Sequence, residues 1–456
     1  MKICRDVCIV IILSILFAQA LCYADSITIP VQEPQGRKLL GLKIVGFVEY
    51  SALEMAGAQV GDVITHYNGI KLESLDHLLT LRDKLEQDEV EVVLRRDAVE
   101  KRVTIPKGLL GAQLQEIMPD HRIDTDAVII EGIGHLGWGL GMENSFLGCV
   151  VLFEEKYGSK LSYQDILGLS GYGFRFHFYP GSFCGSSVDA TCGRDIGSEI
   201  LRKLGYEFKV YSLSDTEKAS PDEVAKAKEQ LLKEIRASID AGWPVIALDL
   251  INVEEWGLIT GYQKNGAELF CRTYFDLTEG YEIAQKLPWV IYAIKGKKDV
   301  DLESEYRKSL FVAKELLDKE NYGEYANGIN AIKTWIRALL NEKSFKSLDE
   351  KQLYNTMHIN WWTYYSLADA RTLNHMYLTS NKNKFGIDEE VIENLAQLTE
   401  KESALLGNGF NSVPSIWEHK DASVWTQDVR IQQTETLNGF LELEEQVAQI
   451  LNAEIR

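Results

Sequence analysis

Between Leu161 and Gly193 the chain concentrates side chains that could do chemistry. Arg175, His177, Cys184 and Cys192 stand among Gly168, Gly171 and Gly173 and the aromatic residues Tyr172, Phe174, Phe176, Phe178 and Tyr179. Glycine permits backbone angles and close approaches that other residues resist. An apolar, glycine-punctuated stretch with one arginine reads as the lining of a buried cleft. It reads equally as a tight core turn whose Arg175 pairs with a structural carboxylate. A cysteine attacks as its thiolate and needs a base beside it. His177 or His135 could serve Cys184 or Cys192 in that role. The competing reading joins Cys184 and Cys192 as a disulfide across a short loop. No C-x-x-C or H-x-x-x-H spacing supports a metal site, and no cofactor is expected.

The elements that would position these residues belong to a chain of 456 residues, long enough for two or three domains. Its formal net charge of −20 argues against nucleic acid as a partner, because phosphate binding needs a positive face. Residues 1–24 read as a signal peptide: Lys2 and Arg5, an apolar run from Val7 to Ala20, then Cys22-Tyr23-Ala24 before Asp25. The run is short of the roughly 20 residues of a membrane span. Export to a periplasmic or extracellular compartment is the expectation, with membrane association through an uncleaved leader as the alternative. Such a compartment is oxidising, which is the basis for expecting the disulfide.

Residues 36–107 alternate strand-like runs with one helix from Leu75 to Leu85, and Asn68-Gly69 marks a hairpin. Leu39-Leu40-Gly41-Leu42, Ser51-Ala52 leading to Ala56-Gly57, Gly61-Asp62-Val63-Ile64 and Tyr67-Asn68-Gly69 occur in an order that resembles a bacterial PDZ domain. The resemblance implies that Leu40, Gly41 and Leu42 receive the terminal carboxylate of a peptide or protein partner, with Leu78 and Leu79 as pocket walls. The alternative is a PDZ-like unit used only for internal docking.

Residues 120–296 run from helices into antiparallel strands, an α+β pattern. The loop Gly132 to Gly141, which carries Trp138, meets G-x-G-x-x-G spacing but lacks the strand–helix–acid context of a dinucleotide site. Asn144 can cap a helix that runs to Tyr157. Three motifs resemble the papain-like fold of bacteriocin-processing peptidases and the N-terminal domain of the butirosin-biosynthesis acyltransferase. They are Gly168-Leu169-Ser170-Gly171 with Phe174-Arg175, Ala241-Gly242-Trp243-Pro244-Val245-Ile246, and Trp256-Gly257-Leu258-Ile259-Thr260-Gly261-Tyr262. The resemblance implies a cysteine at the start of the first helix, a histidine on a central strand and an Asp or Asn on the next. Those positions fall near Met142-Glu143-Asn144, at Glu255-Trp256 and at Asp276, so the expected Cys–His pair is missing. One reading is a degenerate peptidase fold that binds a peptide or small molecule in a cleft lined by Trp138, Arg175 and Trp256. Another places Glu143, Glu255 and Asp276 in one cleft, where crowded carboxylates hold a raised pKa and do acid–base work. A third is the displaced Cys–His pair, and the last is a purely structural domain.

Residues 301–456 read as an antiparallel helical bundle, with a capping box at Ser347 and Glu350. The run from His358 to Tyr365 forms a packed aromatic core or a helix over the second domain's cleft, with His358 or Arg371 reaching in. The expectation is therefore a multidomain α+β protein: PDZ domain, papain-like domain and helical domain. The first functional reading is an exported cell-envelope binding or adaptor protein. The second is an amide-bond hydrolase or acyltransferase with a rearranged active site.

Overall fold

The structure is a computed structural model. It describes residues 37–455 except 49, 97–98, 109, 140, 214–219 and 416–418. The expected leader at residues 1–24 lies outside the described residues.

The architecture is mixed α+β with a helical C-terminal region. The first unit contains β1 (Gly41–Phe47), α1 (Ala52–Met55), β2 (Val63–Tyr67), β3 (Ile70–Lys71), α2 (Leu75–Lys84), β4 (Glu89–Arg96), β5 (Val99–Pro106) and β6 (Ala112–Ile117). The sheet runs β5-β4-β2-β1-β6, with β3 beside β2. Asn68 (φ 50°) and Gly69 (φ 75°) make the tight turn between β2 and β3. Strand β6 lies beyond the expected limit at Lys107. It pairs antiparallel with β1, Leu42 opposite Glu116, while the other edge of β1 pairs with β2.

The second unit contains β7 (Val128–Ile129), α3 (Ser145–Lys156), α4 (Tyr163–Ser170), β8 (His177–Phe178), α5 (Ile196–Lys203), β9 (Tyr206–Ser212), α6 (Pro221–Asp240), β10 (Val245–Leu248), β11 (Trp256–Gln263), β12 (Glu268–Arg272), β13 (Glu282–Ile283) and β14 (Val290–Lys297). Its sheet runs β13-β12-β11-β10-β14-β9, with β7 against β11. Helix α3 is buried from Ser145 through Glu154, so it is a core helix with almost no solvent face. Phe146 meets Trp256 and Tyr292 edge-on, at 4.9 and 5.2 Å between ring centroids.

The C-terminal region contains α7 (Leu302–Asp318), β15 (Asn321–Tyr322), β16 (Tyr325–Asn327), α8 (Gly328–Leu339), α9 (Glu342–Phe345), α10 (Glu350–Ser380), α11 (Glu389–Gly409) and α12 (Gln427–Glu454). It is not a free-standing bundle. Strand β16 pairs with β8, and residues such as Tyr377, Leu395 and Leu451 belong to the same apolar core as α3 and β10–β11. Helix α10 starts at a capping box of Asp349 and Gln352, not the expected Ser347 and Glu350. Asp is as good an N-cap as Ser, and Gln352 returns the bond to the Asp349 N–H at 3.0 Å. Helix α10 lies so close to the Leu161–Gly193 corner that a Cβ on Gly168 would sit 2.2 Å from the Tyr377 ring. Among the described residues no helix is long and apolar enough to cross a membrane.

Candidate functional site

The site is built on the N-terminus of α3. Asn144 caps the helix: its Oδ1 accepts from the Leu147 N–H at 3.1 Å, and its own N–H donates to Tyr163 Oη at 2.8 Å. Ser145 is therefore the first helical residue. Its Oγ donates to Glu255 Oε2 at 2.5 Å and accepts from the Trp256 N–H at 3.2 Å. Helix geometry leaves the Ser145 and Phe146 N–H groups without intrahelical acceptors, beside that hydroxyl. Glu255 immediately precedes β11. Burial raises its carboxyl to about 7; the Ser145 bond opposes the rise and the Asp189 charge adds to it. Asp189 is fixed in turn, by Trp256 Nε1 at 2.7 Å and the Thr191 N–H at 2.7 Å.

Beside this pair, Glu143 accepts from the Gly139 and Gly141 N–H groups at 3.1 and 3.3 Å and from Tyr365 of α10. Burial raises its pKa. Asp369, one turn beyond Tyr365, is raised to about 7 by burial and then by the Glu143 charge. Tyr274 links the two halves: its hydroxyl donates to the Met142 carbonyl, and it feels the charges of both Glu255 and Glu143. Trp138 closes the seam against Trp362 of α10 at 6.1 Å.

The three expected carboxylates do not converge. Glu143 and Glu255 flank the start of α3, but Asp276 faces the first unit. Its carboxylate is held by Arg272 at 3.1 Å and the Thr273 N–H at 2.9 Å, and it lies 3.6 Å from His135. The carboxylates that accompany the pair are Asp369 and Asp189, from segments that the sequence alone does not bring here. Ser145 itself can be found by position: with Asn144 as cap, the next residue opens the helix.

Cys184 and Cys192 do not form the expected disulfide. Cys184 Sγ turns to Ser186 Oγ at 2.8 Å, while the Cys192 thiol is directed at Tyr325. Burial pushes the Cys192 thiol up, away from the thiolate. His177 is fully buried, its Nδ1 lies 3.2 Å from the Cys192 carbonyl, and burial lowers its pKa to about 2. A sealed histidine bonded to a carbonyl is not placed as the base of a cysteine nucleophile. Arg175 is buried, but among the described residues no carboxylate is its anchor. It gathers the carbonyls of Asp189 and Cys192 at 2.7 Å each and of Ser187 at 3.4 Å, which fixes the 187–192 loop behind Trp256.

Helix α10 faces the site with Trp362, Tyr365 and Asp369, whereas Arg371 does not reach into it and ties the helix to the 173–174 corner. The Arg371 guanidinium donates to the Gly173 carbonyl at 2.6 Å and pairs with Glu444 at 2.5 Å. His358 is half-buried, and that burial lowers its pKa to about 4.

In the first unit, Leu40, Gly41 and Leu42 cannot receive a peptide as expected. β1 is paired on both edges, and the Leu40 N–H donates to the Ile117 carbonyl at 2.8 Å. Leu78 is a core residue and Leu79 is half-buried. The first unit instead docks on the 276–282 loop. Leu277 enters its apolar core, the Met118 N–H donates to the Leu277 carbonyl at 2.6 Å, and Arg37 and His121 both pair with Glu282.

Among the described residues no group of three or more His, Cys, Asp or Glu side chains could hold a metal ion. No family model and no curated protein sequence matches the chain.

Proposed function

We propose that the chain is an amide-bond hydrolase or acyltransferase in which Ser145 is the nucleophile and Glu255 its general base. The observation that carries this reading is the 2.5 Å hydrogen bond from Ser145 Oγ to Glu255 at a helix N-terminus. A nucleophile within hydrogen-bond reach of a base poised near neutral pH is what covalent acyl transfer needs. Glu255 stands where the resemblance to papain-like enzymes expects His, and Ser145 is the residue after Met142-Glu143-Asn144, near which it expects Cys, which supports the same chemistry with oxygen in place of sulfur. Ser145 Oγ would attack an acyl carbonyl and pass its proton to Glu255. The developing oxyanion would meet the free N–H groups of Ser145 and Phe146 and the positive end of the α3 dipole. Glu255 would return the proton to the leaving group, and water or an amine would then release the acyl group from the serine ester.

The leader at residues 1–24 supports export to the cell envelope. The docking of the PDZ-like unit on the 276–282 loop supports its use as an internal element, not as a receptor for a free peptide. A binding protein without turnover is the second reading. It is favoured by the depth of Ser145, which is 5% exposed. Treatment of the full chain with a fluorophosphonate probe separates the two. The enzyme reading expects a covalent adduct mapped to Ser145 by mass spectrometry and absent in S145A. A binding protein gives no adduct there.

A further inference from the structure

The residue before Ser145 and the residue after Glu255 are both held by one short segment. Asn144, the cap of α3, donates from its side-chain amide to the Val188 carbonyl at 3.3 Å. Trp256, which opens β11, donates from its indole Nε1 to Asp189 Oδ2 at 2.7 Å. The Trp256 backbone N–H meets Ser145 Oγ at 3.2 Å. Residues 188 and 189 therefore bridge the helix that carries the nucleophile and the strand that follows its base. The bridge is itself braced: Tyr172 Oη donates to the Val188 carbonyl at 2.9 Å and Arg175 to the Asp189 carbonyl at 2.7 Å.

The second oxygen of the Asp189 carboxylate, Oδ1, accepts from the Thr191 N–H at 2.7 Å and from the Thr191 hydroxyl at 2.6 Å. With the indole, three donors converge on it, which suits an acceptor-only group. Arg175 directs its hydrogen bonds to carbonyls and makes none to this carboxylate. The titratable groups that face Glu255 are Asp189, Cys149 of α3 and Tyr274 after β12. Burial holds the Cys149 thiol and the Tyr274 hydroxyl well above their ordinary values, so neither is charged where Glu255 titrates. Those that face Asp189 are Arg175, Asp195, Tyr172, Tyr292 and Cys192. Burial raises Tyr172, Tyr292 and Cys192 as well, which leaves Arg175 and Asp195, of opposite sign, as the charges there. A negative charge near a carboxyl disfavours its ionised form and makes it the stronger base.

We infer that Asp189 is the positioning residue of the Ser145–Glu255 pair: it anchors the Trp256 indole, which fixes the adjoining Glu255 against the Ser145 hydroxyl, and it sets its negative charge near that base. Its part in catalysis rests on the proposed function; its hold on Glu255 does not.

The test is single-turnover acylation of the full chain by p-nitrophenyl acetate from pH 5 to 9, for the unmodified protein, D189N and W256F. D189N keeps the shape of the side chain and removes its charge. W256F removes the indole donor and keeps that charge. In D189N the midpoint of the pH profile should fall by about one pH unit and the plateau rate by about tenfold. In W256F the plateau should fall about tenfold with the midpoint unchanged. A staple with no part in the chemistry would leave the D189N midpoint where it is in the unmodified protein, and that result overturns the inference. So does W256F acylating at the unmodified rate, a result that decides alone if D189N does not fold. Carbon-13 NMR of the Glu255 carboxyl, assigned with E255Q, reads the same midpoint without turnover. An acylated Ser145 with an unmoved Glu255 midpoint in D189N sinks the inference alone. No acylation of Ser145 sinks the proposed chemistry, and the NMR midpoint then still decides whether Asp189 sets the basicity of Glu255.

Discussion

Ser145 and Glu255 are ordinary residues made unusual by position. A serine hydroxyl is a weak nucleophile until a base takes its proton. A carboxyl becomes such a base near pH 7 only when its charged form is disfavoured, which burial achieves for Glu255. The same shift has a cost in stability. The folded Glu255 carboxyl keeps its proton up to about 7, while the unfolded one releases it near 4.5. Between those values the folded state binds more protons, so its contribution to stability falls as pH rises through that window. E255Q removes the ionisation. Denaturant midpoints measured from pH 4 to 8 should therefore show the unmodified protein losing ground to E255Q as pH rises from about 4.5 to about 7. A constant difference would mean that Glu255 is solvated like any surface carboxylate.

At the scale of elements, α10 matters most, because it completes the site and locks the corner beneath it. Its lock is Arg371, fully buried and shared among the Gly173 carbonyl, Glu444 and Glu402. Removing the cation of such a buried cluster strands the carboxylates it faced. R371M should cost about 3–5 kcal/mol in chemical denaturation, and E444Q in the same chain should recover part of that loss. Losses that simply add would argue against a coupled pair. The long helices, their caps and most strands follow from local signals: Asn144 and Ser220 as caps, Asn68-Gly69 as a turn, apolar periodicity elsewhere. The Asp349 cap and strand β6 do not, the first because Ser347 offers an equally good local signal. The second follows from pairing with β1, more than sixty residues away. Fold signals are local, whereas Asp369 and Asp189 reach the site through packing between distant segments, which residue spacing does not encode.

At the scale of the molecule, the three regions are not beads on a string. The helical region shares a core with the second unit, and Leu277 of the second unit is buried in the first. The Leu40–Leu42 stretch, which looks like a ligand loop in isolation, lies inside a sheet because β6 of its own unit pairs with β1. The coupling between units explains Asp276: the residue expected in catalysis serves the contact between them, and its carbonyl accepts from Gln115 at 2.5 Å. L277S should release the first unit without unfolding the second. Hydrogen exchange should then rise in β6 and the 276–282 loop while α3 and β10–β11 stay protected. Unchanged protection of β6 would show that the polar contacts around Glu282 suffice for docking.

The most direct test of the central claim is the rate at which an activated acyl ester, such as a p-nitrophenyl ester, acylates Ser145, measured in single turnover from pH 5 to 9. The prediction is a rate that rises with pH to a plateau, with its midpoint near the Glu255 value of about 7. E255Q should lower the plateau by about a hundredfold and remove the midpoint. Acylation at another residue, or an E255Q profile that matches the unmodified protein, would contradict the account.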